Sequence, residues 1–334
     1  MTPRCRIIPL FIPHRGCPHR CVFCDQEAVT GAHPPTHAVL QESLDHALAS
    51  CKAEEDVEVA FYGGSFTCLP LEEQEGLLGV VQPYLASGRV GSIRVSTRPD
   101  GLDGERLVLL KRFGVRTVEL GVQSMDPLVL QRSGRGHGPG ESVRAVKRLK
   151  ETGFSVGVQL MVGLPGERTS TLLAGARKVA SLGPDFMRIY PVLVMRNTPL
   201  ARDFLSGSFR PLSLARAVVL AARMKGVFDS HKIPVIRIGL QPTPDLARNI
   251  LAGPYHPAFG ELVLARNMFR NVRSTLTRAR GKGKVRQISF SIKDESLVRG
   301  PRNAYLNRLR ELGLLDGVEV VFSPAVERLG VRLA

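Results

Sequence analysis

From residue 57 to residue 190 short apolar runs alternate with longer amphipathic stretches, and this alternation narrows the fold more than any other feature. Val57 to Tyr62, Ser92 to Ser96, Thr117 to Val122, Ser155 to Met161 and Phe186 to Tyr190 read as buried strands, too short for helices. Leu71 to Leu85, Gly104 to Phe113, Ser142 to Thr152 and Thr169 to Leu182 read as the helices between them. Such alternation predicts a parallel sheet with helices outside. The apolar run Arg6 to Pro13 adds a first strand, Thr36 to Ala49 its helix, and Leu214 to Lys232 a last helix, which makes six strand–helix units. Right-handed crossovers wrap six units into a curved, incomplete barrel. The expected class is therefore α/β, a partial (β/α)6 TIM-type barrel over residues 1–240. A full eight-unit barrel is the alternative, with Val235 to Gly239 as a further strand. Beyond Leu240 the periodicity weakens. A small, basic, mixed appendage is expected over residues 241–334, with strands near Gln287 to Ile292 and Val318 to Phe322.

At the carboxyl end of the first strand stands Gly16-Cys-Pro-His-Arg-Cys-Val-Phe-Cys-Asp25, with Cys17, Cys21 and Cys24 spaced Cys-x3-Cys-x2-Cys. Three thiols on one short loop cannot pair off as disulfides, and a closed zinc site needs a fourth ligand, for which His14, His19 and Cys5 lie near in sequence. An iron–sulfur cubane usually takes four cysteines, so one held by three leaves an iron open to bind a small molecule. The carboxyl end of a barrel strand is where reactive sites are built. Cys5, Cys51 and Cys68 share no ligand spacing and read as ordinary thiols.

The chain of 334 residues, 43% of them hydrophobic, suits a globular core, and it shows no apolar run of membrane-spanning length and no signal peptide. Free cysteines in a cluster loop suggest a reducing cytoplasm. The net charge of +16 is uneven, because residues 266–310 hold thirteen Lys or Arg against Asp294 and Glu295. Arg278-Ala-Arg-Gly-Lys-Gly-Lys-Val-Arg286 places a cation at every second residue, a pattern suited to neutralising RNA phosphates. A solvated loop reads from the same residues.

Each strand runs into residues suited to a polar cofactor. Gly63-Gly64-Ser65-Phe66 lets the backbone approach a ligand closely. Ser96-Thr-Arg-Pro-Asp100, Gly121-Val-Gln-Ser124 with Gln123, and Arg132-Ser-Gly-Arg-Gly-His137 with Arg135 follow in order, and Arg135 is suited to a bidentate carboxylate contact. Gln159-Leu-Met-Val-Gly-Leu-Pro-Gly166 and Arg188-Ile-Tyr-Pro191 end the series.

Taken together, these segments resemble the radical S-adenosylmethionine (SAM) superfamily. The Thr97-Arg-Pro-Asp100, Gly121-Val-Gln-Ser124 and Tyr190-Pro191 elements are most similar to the radical SAM core of the Elongator catalytic subunit, a tRNA wobble-uridine enzyme. The likeness runs from about Cys17 to Thr198. It implies that Cys17, Cys21 and Cys24 ligate a 4Fe-4S cluster whose open iron chelates SAM, and that an electron then breaks the sulfonium bond to give a 5'-deoxyadenosyl radical. It implies SAM contacts for Gly63, Gly64, Ser65, Gln123 and Arg135, with Phe23 near the adenine, and an electron donor such as flavodoxin or ferredoxin. Roles for His137 and Tyr190 in proton or radical handling are open, beside structural ones. The chain leaves no room for the acetyltransferase domain of that subunit, so its carboxymethylation chemistry is not expected. The expected substrate is RNA, a tRNA foremost. Two alternatives stand: a radical SAM enzyme acting on a small carboxylate-rich molecule, as oxygen-independent coproporphyrinogen oxidases do, and a metal-stabilised RNA-binding protein without catalysis.

Overall fold

The computed structural model describes residues 6–26, 35–52, 54–280 and 285–334. Cys5 and positions 281–284 of the basic run lie outside the described residues. Seven parallel strands form the main sheet: β1 (Arg6–Phe11), β2 (Val57–Tyr62), β3 (Ser92–Thr97), β4 (Val115–Gln123), β5 (Ser155–Val162), β6 (Phe186–Pro191) and, beyond a short β7 (Val194–Met195), β8 (Val235–Ile238). Their order is β1-β2-β3-β4-β5-β6-β8, and the sheet curls into an open half-barrel. The six expected units are present, and Val235–Ile238 does extend the sheet by a seventh strand.

The strand pattern explains the curl's two faces. Side chains alternate across a strand. Val57, Val59 and Phe61 of β2, Ile93 and Val95 of β3, and Val118 and Leu120 of β4 join the core under the outer helices. Those helices present apolar stripes at helical spacing: Leu40, Leu44 and Leu48 on His37–Ala49, and Leu172, Ala176 and Val179 on Thr169–Ser181. Thr36, Asp103 and Ser213 cap their helices by accepting backbone N–H bonds, which fixes where each begins. The expected helix over Leu71 to Leu85 is two pieces, Leu71–Gly79 and Gln82–Ala86, the second carrying Pro83 in its first turn, where a proline is tolerated.

Beyond the barrel, β9 (Ile250–Ala252) pairs with β7, and β10 (Gln287–Ser291) lies between β11 (Glu319–Ser323) and β12 (Val331–Leu333). The longest helix, Phe259–Arg280, was not legible in the weak periodicity there. Its stripe Ala265, Met268, Phe269, Val272 and Leu276 packs in a second core with Ile288, Phe290, Leu297 and Leu306, while Phe259 and Val263 reach into the first. Among the described residues no helix is long and apolar enough to cross a membrane.

Candidate active site

The cysteine loop leaves β1 at the carboxyl edge of the sheet and is tied at once to the segment that leaves β2. His14 donates its backbone N–H to Gly63 O (2.9 Å), and Ser65 donates to Arg15 O (2.9 Å). The two segments lie backbone against backbone. A Cβ on Gly64 would stand 2.7 Å from Ile12 O and closer still to Arg15 O, and one on Gly16 (φ +71°) would meet Ser65 O. The glycine pair therefore seats the cysteine loop, a reason that ligand approach alone did not suggest. His14, also left-handed (φ 57°), accepts the Gln26 backbone N–H at Nε2 (3.0 Å) and braces the loop across its width. On the far side Val22 donates to Ser133 O (3.1 Å), and the His19 ring packs on Gly136.

Each thiol has a distinct polar neighbour. Cys17 Sγ lies 3.3 Å from Ser65 Oγ, the Arg135 guanidinium donates to Cys21 Sγ (3.1 Å), and the Gln26 amide donates to Cys24 Sγ (3.4 Å). Burial, reinforced by Cys21, pushes the Cys24 thiol up to about 12. A single ion needs its ligand atoms about 2.3 Å away. Among the described residues no three His, Cys, Asp or Glu side chains are gathered for one ion. Three thiols on one loop, each beside a different polar group, are a donor set that suits a cubane, whose irons each take one thiolate. Cys51 is half-buried against the core, and Cys68 lies just after the Gly63–Ser65 segment, its thiol raised by burial and then by Asp100.

The other sequence-predicted positions gather at the same end of the sheet. A register shift in β4 between Gly121 and Gln123, together with φ +67° at Gln123, turns this buried side chain toward Gln159, whose amide donates to its Oε1 (3.2 Å). A non-glycine residue in that conformation is strained, and strain of this kind concentrates at functional sites. Arg135, 5% exposed, also donates to Gly121 O and contacts His137 Nε2 (3.2 Å), while its Nε is buried without a partner. Burial, then Arg135, lowers the His137 imidazole, which is neutral near pH 7. Arg98 holds the backbone of Arg135 (2.5 Å to its O) and forks onto Asp100 (3.0 and 2.8 Å). Phe23 packs with Met161, Leu164, Val192 and Tyr190 as an apolar wall.

Sequence reasoning missed an ionic cluster on the strand faces opposite the helices. Glu58 of β2 takes two bonds from Arg94 of β3 (2.8 and 2.5 Å) and one from Thr117 of β4 (2.7 Å). Glu119 of β4 takes Arg94 (2.6 Å), Arg188 of β6 (2.8 Å) and the Tyr62 hydroxyl (2.9 Å). Arg188 Nε also stands 2.6 Å from Glu119 Oε2, as an ion pair rather than an aligned hydrogen bond. Burial, then Glu119, raises the Tyr62 phenol, which stays protonated. The signal available was charge at alternating positions of otherwise apolar strands.

Known proteins resemble the chain along most of its length. The Radical SAM superfamily pattern matches residues 11–175, and the Radical_SAM C-terminal domain matches residues 184–270. An uncharacterised protein of Methanocaldococcus jannaschii is 25% identical over 278 residues, 80% of this chain and 82% of that one. The tRNA uridine(34) acetyltransferase of Methanocaldococcus infernus is 24% identical over 310 residues, 80% of this chain and 57% of that enzyme. The haem chaperone HemW of Escherichia coli is 30% identical over 196 residues, 57% of this chain and 52% of that one. The chain thus spans little more than half the length of the last two. Its fold is that of the solved Methanocaldococcus infernus Elp3 lacking residues 1–46, with a TM-score of 0.63 at 20% identity, over 81% of this chain and 64% of that one.

Proposed function

The chain belongs to the radical SAM superfamily, and from that premise we propose that it is an enzyme of RNA modification, with tRNA as substrate. It is a radical SAM enzyme whose cofactors are a 4Fe-4S cluster and SAM. When bound, they supply a carbon-centred radical able to take a hydrogen atom from a substrate.

The chain's own residues divide the remaining work. Cys17, Cys21 and Cys24 hold the cluster, with Ser65 Oγ beside the first sulfur and Arg135 and Gln26 donating to the other two. Gly63, Gly64 and Ser65 offer backbone and hydroxyl groups to the amino end of SAM. Arg135, with its free Nε, suits the carboxylate, and Gln123 a ribose hydroxyl. Phe23 and its apolar neighbours keep water from the adenine side. Neutral His137 holds the Arg135 side chain in place without adding charge.

One observation carries the RNA reading: the similarity to tRNA uridine(34) acetyltransferase covers 80% of this chain, and so extends into its C-terminal, basic part. Higher identity to HemW favours a second reading, a small carboxylate-rich substrate, but that match covers only 57% of the chain. The deciding measurement is 5'-deoxyadenosine release from SAM by anaerobically reconstituted protein, with and without bulk tRNA. Release is expected to rise with tRNA and to vanish in Cys24→Ala. Release that ignores tRNA and rises with a carboxylate-rich tetrapyrrole would replace the first reading by the second.

A further inference from the structure

A groove of about 710 Å³ lies between the helices Leu214–Ser230 and Phe259–Arg280, and no residue proposed above for the cluster or SAM lines it. The second helix explains its chemistry. Most of its apolar stripe is turned into the two cores, so that beside Leu264 and Met268 the residues it gives the groove are polar. Arg270, Arg273 and Arg278 are exposed there, and among the described residues none of the three meets a carboxylate. Unpaired arginines are common among the described residues of this basic chain; what distinguishes these three is that they share one groove. The acid that lines the groove, Asp229, is neutralised by Lys225 (2.7 and 2.8 Å). On the groove wall the Asn267 side-chain amide nitrogen is buried with no acceptor. Unpaired cations and an unsatisfied donor call for oxygen anions.

We infer that this groove is a phosphate-backbone track that grips the body of the RNA substrate apart from the reacting centre. Arg270 and Arg278 are eight residues apart, about 12 Å along a helix axis, so the three guanidinium groups form a row rather than a point. A row of exposed cations suits a polyanion's successive phosphates, whereas a single small anion would need convergent donors. The inference rests on the RNA reading above.

The test is fluorescence anisotropy with labelled tRNA across about 0.05 to 0.3 M salt. It compares the wild type with Arg270→Ala/Arg273→Ala/Arg278→Ala. A control, Lys147→Ala/Arg177→Ala/Lys178→Ala, removes equal charge from helices elsewhere. Losing three phosphate contacts should flatten the log–log salt slope by about 2 and weaken binding roughly tenfold, since each contact releases about 0.7 counterion on a single strand. The control should keep the wild-type slope. Tenfold weaker binding in the groove variant, with 5'-deoxyadenosine release in the absence of RNA unchanged, supports the track. Equal slopes for groove variant and control overturn it, leaving the groove to some other partner such as an acidic protein. A wild-type protein that binds no tRNA overturns the RNA reading itself, so the two failures are told apart.

Discussion

Gly64 has an ordinary negative φ, so its requirement is purely one of space: two carbonyl oxygens of the cysteine loop occupy the volume a methyl group would take. Gly64→Ala must push that loop off the second strand's exit. Overpacking of this kind costs about 1–3 kcal/mol, and here the displaced atoms carry Cys17. The expected outcome is a lower melting temperature by circular dichroism together with a reduced iron complement after reconstitution. Gly79 offers the contrast. It ends a helix with open space around it, so Gly79→Ala should be neutral or stabilising by about 0.4–1 kcal/mol. If both variants load iron like the wild type, the backbone-on-backbone seat is not what positions the thiols. The cysteine spacing was readable from the sequence because three ligands on one loop are local. The seat was not, because Gly64 and Arg15 meet only after β1 and β2 pair.

At the scale of an element, the loop after β5 is held by Glu167, whose carboxylate accepts the Gly163 N–H (2.7 Å). Burial pushes this carboxyl up to about 8; the backbone N–H groups of Gly163 and Leu164 oppose the rise and Asp126 adds to it. An acid raised in the folded state keeps a proton that the unfolded chain has released. Its contribution is therefore fully present below pH 4.5 and is lost as pH rises toward 8. The slope across that window is about 1.4 kcal/mol per pH unit for one group. Glu167→Gln carries no proton to lose. Denaturant melts of both proteins between pH 5 and 8 should show the stability of Glu167→Gln gaining on the wild type as pH rises. A constant gap would mean that the carboxyl titrates alike folded and unfolded. The helix Phe259–Arg280 teaches a related lesson: its stripe at 265, 268, 269, 272 and 276 has helical spacing, yet interleaved arginines and asparagines hid it.

At the scale of the whole molecule, Glu119 is the point where β2, β3, β4 and β6 are joined through charge, by way of Tyr62, Arg94 and Arg188. Such a cluster is worth little against an apolar replacement, but breaking it from one side strands buried cations. Glu119→Gln should cost about 3–5 kcal/mol in urea unfolding. A loss under 1 kcal/mol would show that Arg94 and Arg188 find other partners, Glu58 being nearest to hand for Arg94.

What the chain's sequence determined by itself is everything that depends on neighbours along the chain. The strand and helix alternation follows from local apolar periodicity, helix starts follow from caps such as Asp103 and Ser213, and the cysteine triad follows from spacing within one loop. Only the tertiary structure decided which distant residues share a space. Glu58 and Thr117 are 59 positions apart and Tyr62 and Arg188 are 126, and nothing in either strand's own sequence names its partner. Likewise Lys225 lines one groove with Arg270 and Arg273 because two helices pack side by side. Strand order and sheet curl set those meetings, and they arise from burying the whole apolar surface at once, a sum over the chain that no local window contains.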